Sequence, residues 1–195
     1  LYALGFDRVE ETAVGAREVT GEYRRLMDKG EMPCILTTCC PTVNLLIAQY
    51  YPALVPDMAP VVSPALAHGR MIKERFGAET KVVFIGPCVA KRKEAQRDEA
   101  VDFVMTFEEV ASVLDGLGIQ MEQAQSYVVD FSSVREAHGF GQSGGVMGAV
   151  KAYLKADGDK ISAVQVSDLN KKNIGTLRAY AKTGKAAGQF IEVMA

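Results

Sequence analysis

Pro33-Cys34-Ile35-Leu36-Thr37-Thr38-Cys39-Cys40-Pro41 is an apolar run that breaks at two threonines, two adjacent cysteines and a proline. Pro33 to Thr38 reads as a buried strand, since a short apolar run bounded by turn signals suits a strand covered on both faces. Pro41 then opens a helix at its first turn, where the missing N–H costs nothing. The two cysteines therefore stand at a strand's carboxyl end, and in open α/β sheets that end lines the crevice that holds ligands. Val82-Val83-Phe84-Ile85-Gly86-Pro87-Cys88 repeats the arrangement, with Lys91 three residues further on. Both strands are expected to end at one sheet edge, so that Cys40 and Cys88 face a common crevice. Cys34, inside the first strand, reads as a buried small hydrophobe.

The chain has 195 residues, of which 48% are hydrophobic and 24% charged. That is too apolar for disorder and long enough for one sizeable core or two small ones. Net charge is −2 and the basic residues come singly or in short groups such as Lys91-Arg92-Lys93. With no basic stripe, a nucleic-acid partner is excluded. No stretch approaches the roughly 18 apolar residues that span a bilayer, so no membrane is expected. The N-terminus lacks the regions of a signal peptide, and a chain starting at Leu1 reads as an excised piece. Of the four cysteines, three fall within residues 34–40, where adjacent Cys39 and Cys40 cannot easily bridge each other. Reduced thiols of a cytoplasmic protein, available to a metal or to redox work, fit that spacing better than a disulfide framework does.

Taken in order, helical spacing of Val19, Tyr23, Leu26 and Met27 predicts a helix from about Ala16 to Lys29, stopped by Gly30. The Pro33–Thr38 strand and the Pro41 helix follow, then a proline-rich loop from Tyr51 to Pro60. Ser63-Pro64 is an N-cap and first-turn pair for a helix through Phe76. Lys81 to Ile85 is a strand, a charged segment follows Cys88, and Val101 to Met105 is a short strand. Thr106-Phe107-Glu108-Glu109 is a capping box that opens a helix ending at Gly116. Between 119 and 137 only Tyr127-Val128-Val129 is strand-like. A glycine-rich run leads to a helix from Val146 to about Lys155, Asp157-Gly158-Asp159 is a turn, and Ile161 to Val166 is a strand. A helix over Asn173 to Lys182 and a strand over Gln189 to Met194 complete the pattern. Alternation of strand and helix predicts an α/β fold of parallel, Rossmann-like sheets flanked by helices, in two lobes.

Thr37-Thr38-Cys39-Cys40-Pro41 and Gly86-Pro87-Cys88-Val89-Ala90-Lys91-Arg92-Lys93-Glu94 resemble the first two cysteine motifs of the iron-iron (FeFe) hydrogenase catalytic domain, T-S-C-C-P and M-P-C-x-x-K-x-x-E. Gly139-Phe140-Gly141-Gln142-Ser143-Gly144-Gly145-Val146-Met147 resembles the family's glycine-rich segment. Glu192-Val193-Met194-Ala195 resembles the start of its third motif, E-x-M-A-C-x-x-x-C. The resemblance runs in order over nearly the whole chain and implies a partial catalytic domain spanning 1–195, without the family's N-terminal start and the cysteines of its third motif.

The fold implied is that of the iron-only hydrogenase catalytic domain, and the activity is interconversion of hydrogen with protons and electrons. The cofactor implied for the parent protein is a 4Fe-4S cubane linked to a di-iron subsite. Cys40 and Cys88 would be cubane ligands, with two further cysteines expected beyond residue 195. This segment alone is therefore expected to hold no cofactor and to be inactive. Cys39 would pass protons, Lys91 would donate hydrogen bonds to the di-iron groups, and Glu94 would join a proton path. Met194 and Gly144 would lie against the cofactor. Ferredoxin or accessory iron-sulfur domains are the implied electron partners.

Several residues also carry plainer readings. Lys91, in its charged surroundings, reads by itself as a solvated lysine, and His68 and His138 as satisfied surface or cap residues. Gly139 to Gly144 also fits G-x-G-x-x-G, the mark of a nucleotide binder, although the polar stretch Ser132 to His138 separates it from any strand. Gly86 stands where catalytic members have methionine, Thr42-Val43 replaces a small residue and tryptophan, and Ala65 replaces a glutamine after Ser-Pro. These departures set a redox- or hydrogen-sensing protein of the same fold beside the enzyme.

Overall fold

Strand β1 is short. In the computed structural model, which describes residues 1–123, 132–154, 162–184 and 188–195, its ladder takes in only Ile35–Leu36. It lies parallel to β5 (Phe190–Met194), which also pairs in parallel with β4 (Ala163–Ser167), giving the order β1-β5-β4. An all-parallel sheet has to be covered on both faces, and side-chain alternation divides the cover. Ile35, Phe190 and Ala163 face α1 (Ala13–Lys29), α6 (Gly145–Leu154) and the 3-10 segment Ser132–Gly141. Cys34, Leu36, Ile191, Val193, Val164 and Val166 face α2 (Pro41–Tyr50), α7 (Lys171–Thr183) and the 3-10 turn Pro52–Asp57.

A second, parallel pair joins β2 (Val83–Ile85) to β3 (Phe103–Met105). Leu66 and Ile72 of α3 (Pro64–Phe76) pack there with Val82, Ala100 and Val101. The expected α/β class with two parallel sheets is what the chain adopts, but the shared sheet edge is not. β1 and β2 belong to different sheets, because an apolar run specifies strand type and says nothing about which sheet the strand joins.

Helix ends follow the local signals. Gly30 is left-handed at φ 64°, Ser63 accepts the Leu66 N–H, and Thr106 and Glu109 make both bonds of the capping box that opens α5 (Phe107–Gly116). The charged stretch after Cys88 is partly helical, α4 (Lys91–Ala95), and the proline-rich loop holds the Pro52–Asp57 turn. Tyr127-Val128-Val129 and Asp157-Gly158-Asp159 lie outside the described residues. Among those residues no helix is long and apolar enough to cross a membrane.

Candidate functional site

The Thr-Thr-Cys-Cys turn is held from all sides. Thr37 accepts the Val193 N–H on its hydroxyl at 3.0 Å and donates its own N–H to Ile191 O at 3.0 Å, which ties the end of β1 to β5. Thr38 is buried, and its hydroxyl lies 2.8 Å from Val61 O and 3.1 Å from Ala59 O. Its N–H donates to the Tyr23 hydroxyl at 3.0 Å, and its carbonyl accepts from Asn44 Nδ2 at 2.8 Å. Asn44 Oδ1 is buried and has no partner among the described residues.

The cysteine pair then divides between two cores. Cys39 packs against the α1/α6 core and Cys40 against the α2/α7 core, each half-buried. Cys40 is also the cap residue of α2, with extended backbone. Cys34 is buried as expected, 2% exposed. It shares a core with Tyr180, whose hydroxyl donates to Asp57 at 2.6 Å.

The Cys39 sulfur lies 3.4 Å from the Tyr23 hydroxyl. Burial pushes this thiol up to about 12, against the opposing Tyr23 bond and Lys91 charge and with the help of Glu192 and Glu94. Cys39 is therefore a neutral S–H group near pH 7, able to hold a proton.

Past β2 the chain turns at Gly86-Pro87, leaves Cys88 half-buried and enters α4. Lys91 does not reach into solvent, as its charged surroundings led one to expect, and its side chain is only 11% exposed. The ammonium donates to Cys39 O at 3.1 Å and to Glu94 Oε2 at 2.6 Å, and Ser63 donates to the same oxygen at 2.9 Å. Three separate motifs thus meet through one lysine and one carboxylate, and α2 lies against α4. An ammonium carries three hydrogens, so among the described residues one Lys91 donor remains beyond these two bonds. Among the described residues no group of three or more His, Cys, Asp or Glu side chains is gathered to hold a metal ion.

The glycine-rich run is tied to β5. Gly144 has φ +82° and donates its N–H to Glu192 Oε1 at 3.0 Å, and Met147 donates to Oε2 at 2.8 Å. A Cβ on Gly145 would come within 1.8 Å of Gly139 O, so the glycines serve a close approach of backbone to backbone. The donors that a phosphate would need are taken by a carboxylate of the same chain, which removes the basis of the nucleotide reading. Glu192 is wholly buried, and burial holds its carboxyl above the usual carboxylate range against those N–H bonds.

Met194, two residues on, ends β5 half-buried. His68 is buried rather than superficial, with Glu10 at 3.0 Å, and His138 is exposed. Glu192 and Tyr23 are the site residues that sequence reasoning passed over. Glu192 leaves a signal, one acid in a strand that is otherwise apolar, and Tyr23 leaves none beyond its place on the apolar stripe of α1.

The chain is thus a parallel α/β protein with half-buried thiols just past the ends of two strands. Over residues 1–195 the chain matches the family described as iron only hydrogenase large subunit, C-terminal domain, and it belongs to that family. Its fold is similar to that of apo FeFe-hydrogenase HydA1 from Chlamydomonas reinhardtii, in a cysteine-to-histidine variant, at 22% identity and TM-score 0.70, covering 100% of this chain and 68% of that one. A glutamate-to-alanine variant of the same algal enzyme aligns at 20% identity and TM-score 0.72 with 100% and 68% coverage. A HydA structure described as revealing stepwise H-cluster assembly gives 21% identity, TM-score 0.69 and 100% and 68% coverage.

Proposed function

We propose that this domain forms part of a hydrogenase that interconverts molecular hydrogen with protons and electrons, with Cys40 and Cys88 as thiolate ligands of an iron-sulfur cluster joined to a di-iron subsite. The observation that carries this reading is the Lys91 bridge, which brings the Cys88 loop onto the Cys39-Cys40 turn although their strands lie in different sheets.

The residues present suit such a group. Two soft sulfur donors stand on segments joined through Lys91, a third thiol is kept protonated, and among the described residues Lys91 has a donor to spare and a buried amide oxygen has no partner. The cluster, when bound, supplies iron and electrons. The chain's own part is to hold and move protons and to keep the site dry. Cys39 holds a proton at sulfur, and Glu94 and Ser63 form a polar link behind Lys91 that can accept one. Lys91 orients an anionic group through its remaining N–H, as a cation does beside an anionic cofactor. Met194 and Gly144 complete the set of residues assigned to the cofactor. A ferredoxin-like electron carrier in a reducing compartment completes the proposal, with the remaining cysteine ligands coming from the family's third motif.

The test is anaerobic iron and sulfide loading of a chain that carries that third motif, measuring iron content and hydrogen turnover. Cys40→Ser and Cys88→Ser should lose iron, whereas Cys39→Ser should keep iron and lose turnover. Equal iron loss in all three would break the division of roles. Iron binding without turnover in the parent chain would favour the sensing function instead.

A further inference from the structure

Tyr23 lies on the buried stripe of α1 and is fully enclosed, 0% exposed. Its ring meets Phe190 of β5 edge-on, with centroids 5.5 Å apart and planes at 82°. A buried phenol places its hydroxyl on a partner, and here the oxygen accepts the Thr38 N–H at 3.0 Å and lies 3.4 Å from Cys39 Sγ. With the amide already directed at the oxygen, the phenol's own hydrogen and second lone pair are left for the sulfur, whichever of the two is the donor.

Lys91 reaches the Cys39 carbonyl rather than the thiol. Among the described residues, Tyr23 is therefore the side chain that hydrogen-bonds the sulfur. A cysteine side chain turns about a single torsion with three staggered wells, and a fixed partner selects one of them.

We propose that Tyr23 is the positioning residue of Cys39: its hydroxyl, anchored on the Thr38 amide, holds the thiol in one of its staggered orientations. The inference rests on the reading of Cys39 as proton carrier and adds to it the residue that aims the carrier. Tyr23 acts through Cys39 and not on the reacting groups, since its enclosed ring offers no onward route to solvent. Cys34 supplies an internal control, lying in the opposite core, away from Tyr23.

The test is the infrared S–H stretching band of the 195-residue chain. Cys39→Ser identifies the Cys39 band by its loss. Tyr23→Phe, which keeps the ring and removes only the hydroxyl, should shift that band while the Cys34 band stays in place. Should loss of the Thr38 partner unfold that variant, fluorotyrosine at position 23 keeps the acceptor, changes the hydroxyl's donor strength, and should shift the same band. A Cys39 band that stays fixed under both changes overturns the proposal. In the cluster-loaded full-length protein, Tyr23→Phe should lower turnover roughly tenfold, a part of what a positioned proton carrier contributes, with iron content unchanged. A shifted band with full turnover in both Tyr23→Phe and Cys39→Ser would instead overturn Cys39 as proton carrier and leave the positioning contact supported.

Discussion

Lys91 and Glu94 are the pair on which the meeting of the two cysteine loops depends. Both are largely withdrawn from water, at 11% and 14% side-chain exposure, and each has a further partner, Cys39 O for the lysine and Ser63 for the carboxylate. Removing one member of a buried pair strands the other's charge, and the stranded charge costs more than the pair was worth. Lys91→Met should therefore lower stability by about 2–3 kcal/mol, less than the full cost of a deeply buried pair because some solvent reaches this one. Lys91→Met combined with Glu94→Gln should recover about 1 kcal/mol or more of that loss, since contacting residues do not behave additively. Urea unfolding of the four proteins measures the difference directly. A double variant no more stable than Lys91→Met alone would mean that the pair sits in water and does not organise the turn.

At the scale of elements, the short β2–β3 pair is held at its entry by Asp102. That carboxylate accepts the Val82 N–H at 2.9 Å and lies 3.0 Å from Lys73 and 3.2 Å from Lys81. The Val82 amide above all, then the two ammonium groups, hold its carboxyl down at about 2 despite partial burial. An unfolded aspartate titrates near roughly 3.9. The stabilisation is thus complete above about pH 5 and is lost as the pH falls through about 2, the sign for a depressed acid. Asp102→Asn should cost about 1–2 kcal/mol at pH 7, after a discount for the solvent that reaches the carboxylate. The penalty should shrink to a small fraction of that by pH 2, which paired denaturation curves at the two pH values would show. Thr106→Ala, which opens the capping box of α5, should cost about 1 kcal/mol at any pH where Glu109 stays ionised. These local devices were legible in the sequence because each is written in adjacent residues: Ser63-Pro64, Thr106 to Glu109, the stop at Gly30, the start at Pro41. The two-residue span of β1 and the separate sheets of β1 and β2 were not, since pairing partners lie more than 100 residues away at Phe190 and Ile191. The site was legible to the same degree. Its cysteines and Lys91 announce themselves by motif, whereas Tyr23 reaches Cys39 only because α1 packs on the sheet.

For the whole molecule, the question is what keeps the three-stranded sheet and the β2–β3 lobe at a spacing that lets Lys91 reach Cys39. The contact between α1 and α3 supplies part of the answer. α1 carries Tyr23 to the Cys39 thiol, and Ser63, the cap of α3, binds the Glu94 carboxylate that holds Lys91. The two helices meet at Gly15, where an added Cβ would stand 2.2 Å from Pro64 O and 2.7 Å from the His68 Cβ. Such an overlap falls on backbone and cannot be relieved by a rotamer change, so α3 would have to move away as a body. Gly15→Ala should destabilise the fold by about 2–3 kcal/mol, in the range of overpacked cores. It should also loosen the Lys91 bond to Cys39 O, seen as faster hydrogen exchange at the α4 amides. Gly21, on the same helix but with nothing within 4 Å of its added Cβ, provides the contrast. Gly21→Ala should stabilise the protein by about 0.5–1 kcal/mol through helix propensity alone and leave exchange in α4 unchanged. Two glycine-to-alanine changes two turns apart on one helix would then carry opposite signs. Equal effects from both would show that the spacing of the two sheets is set elsewhere than at the α1–α3 contact.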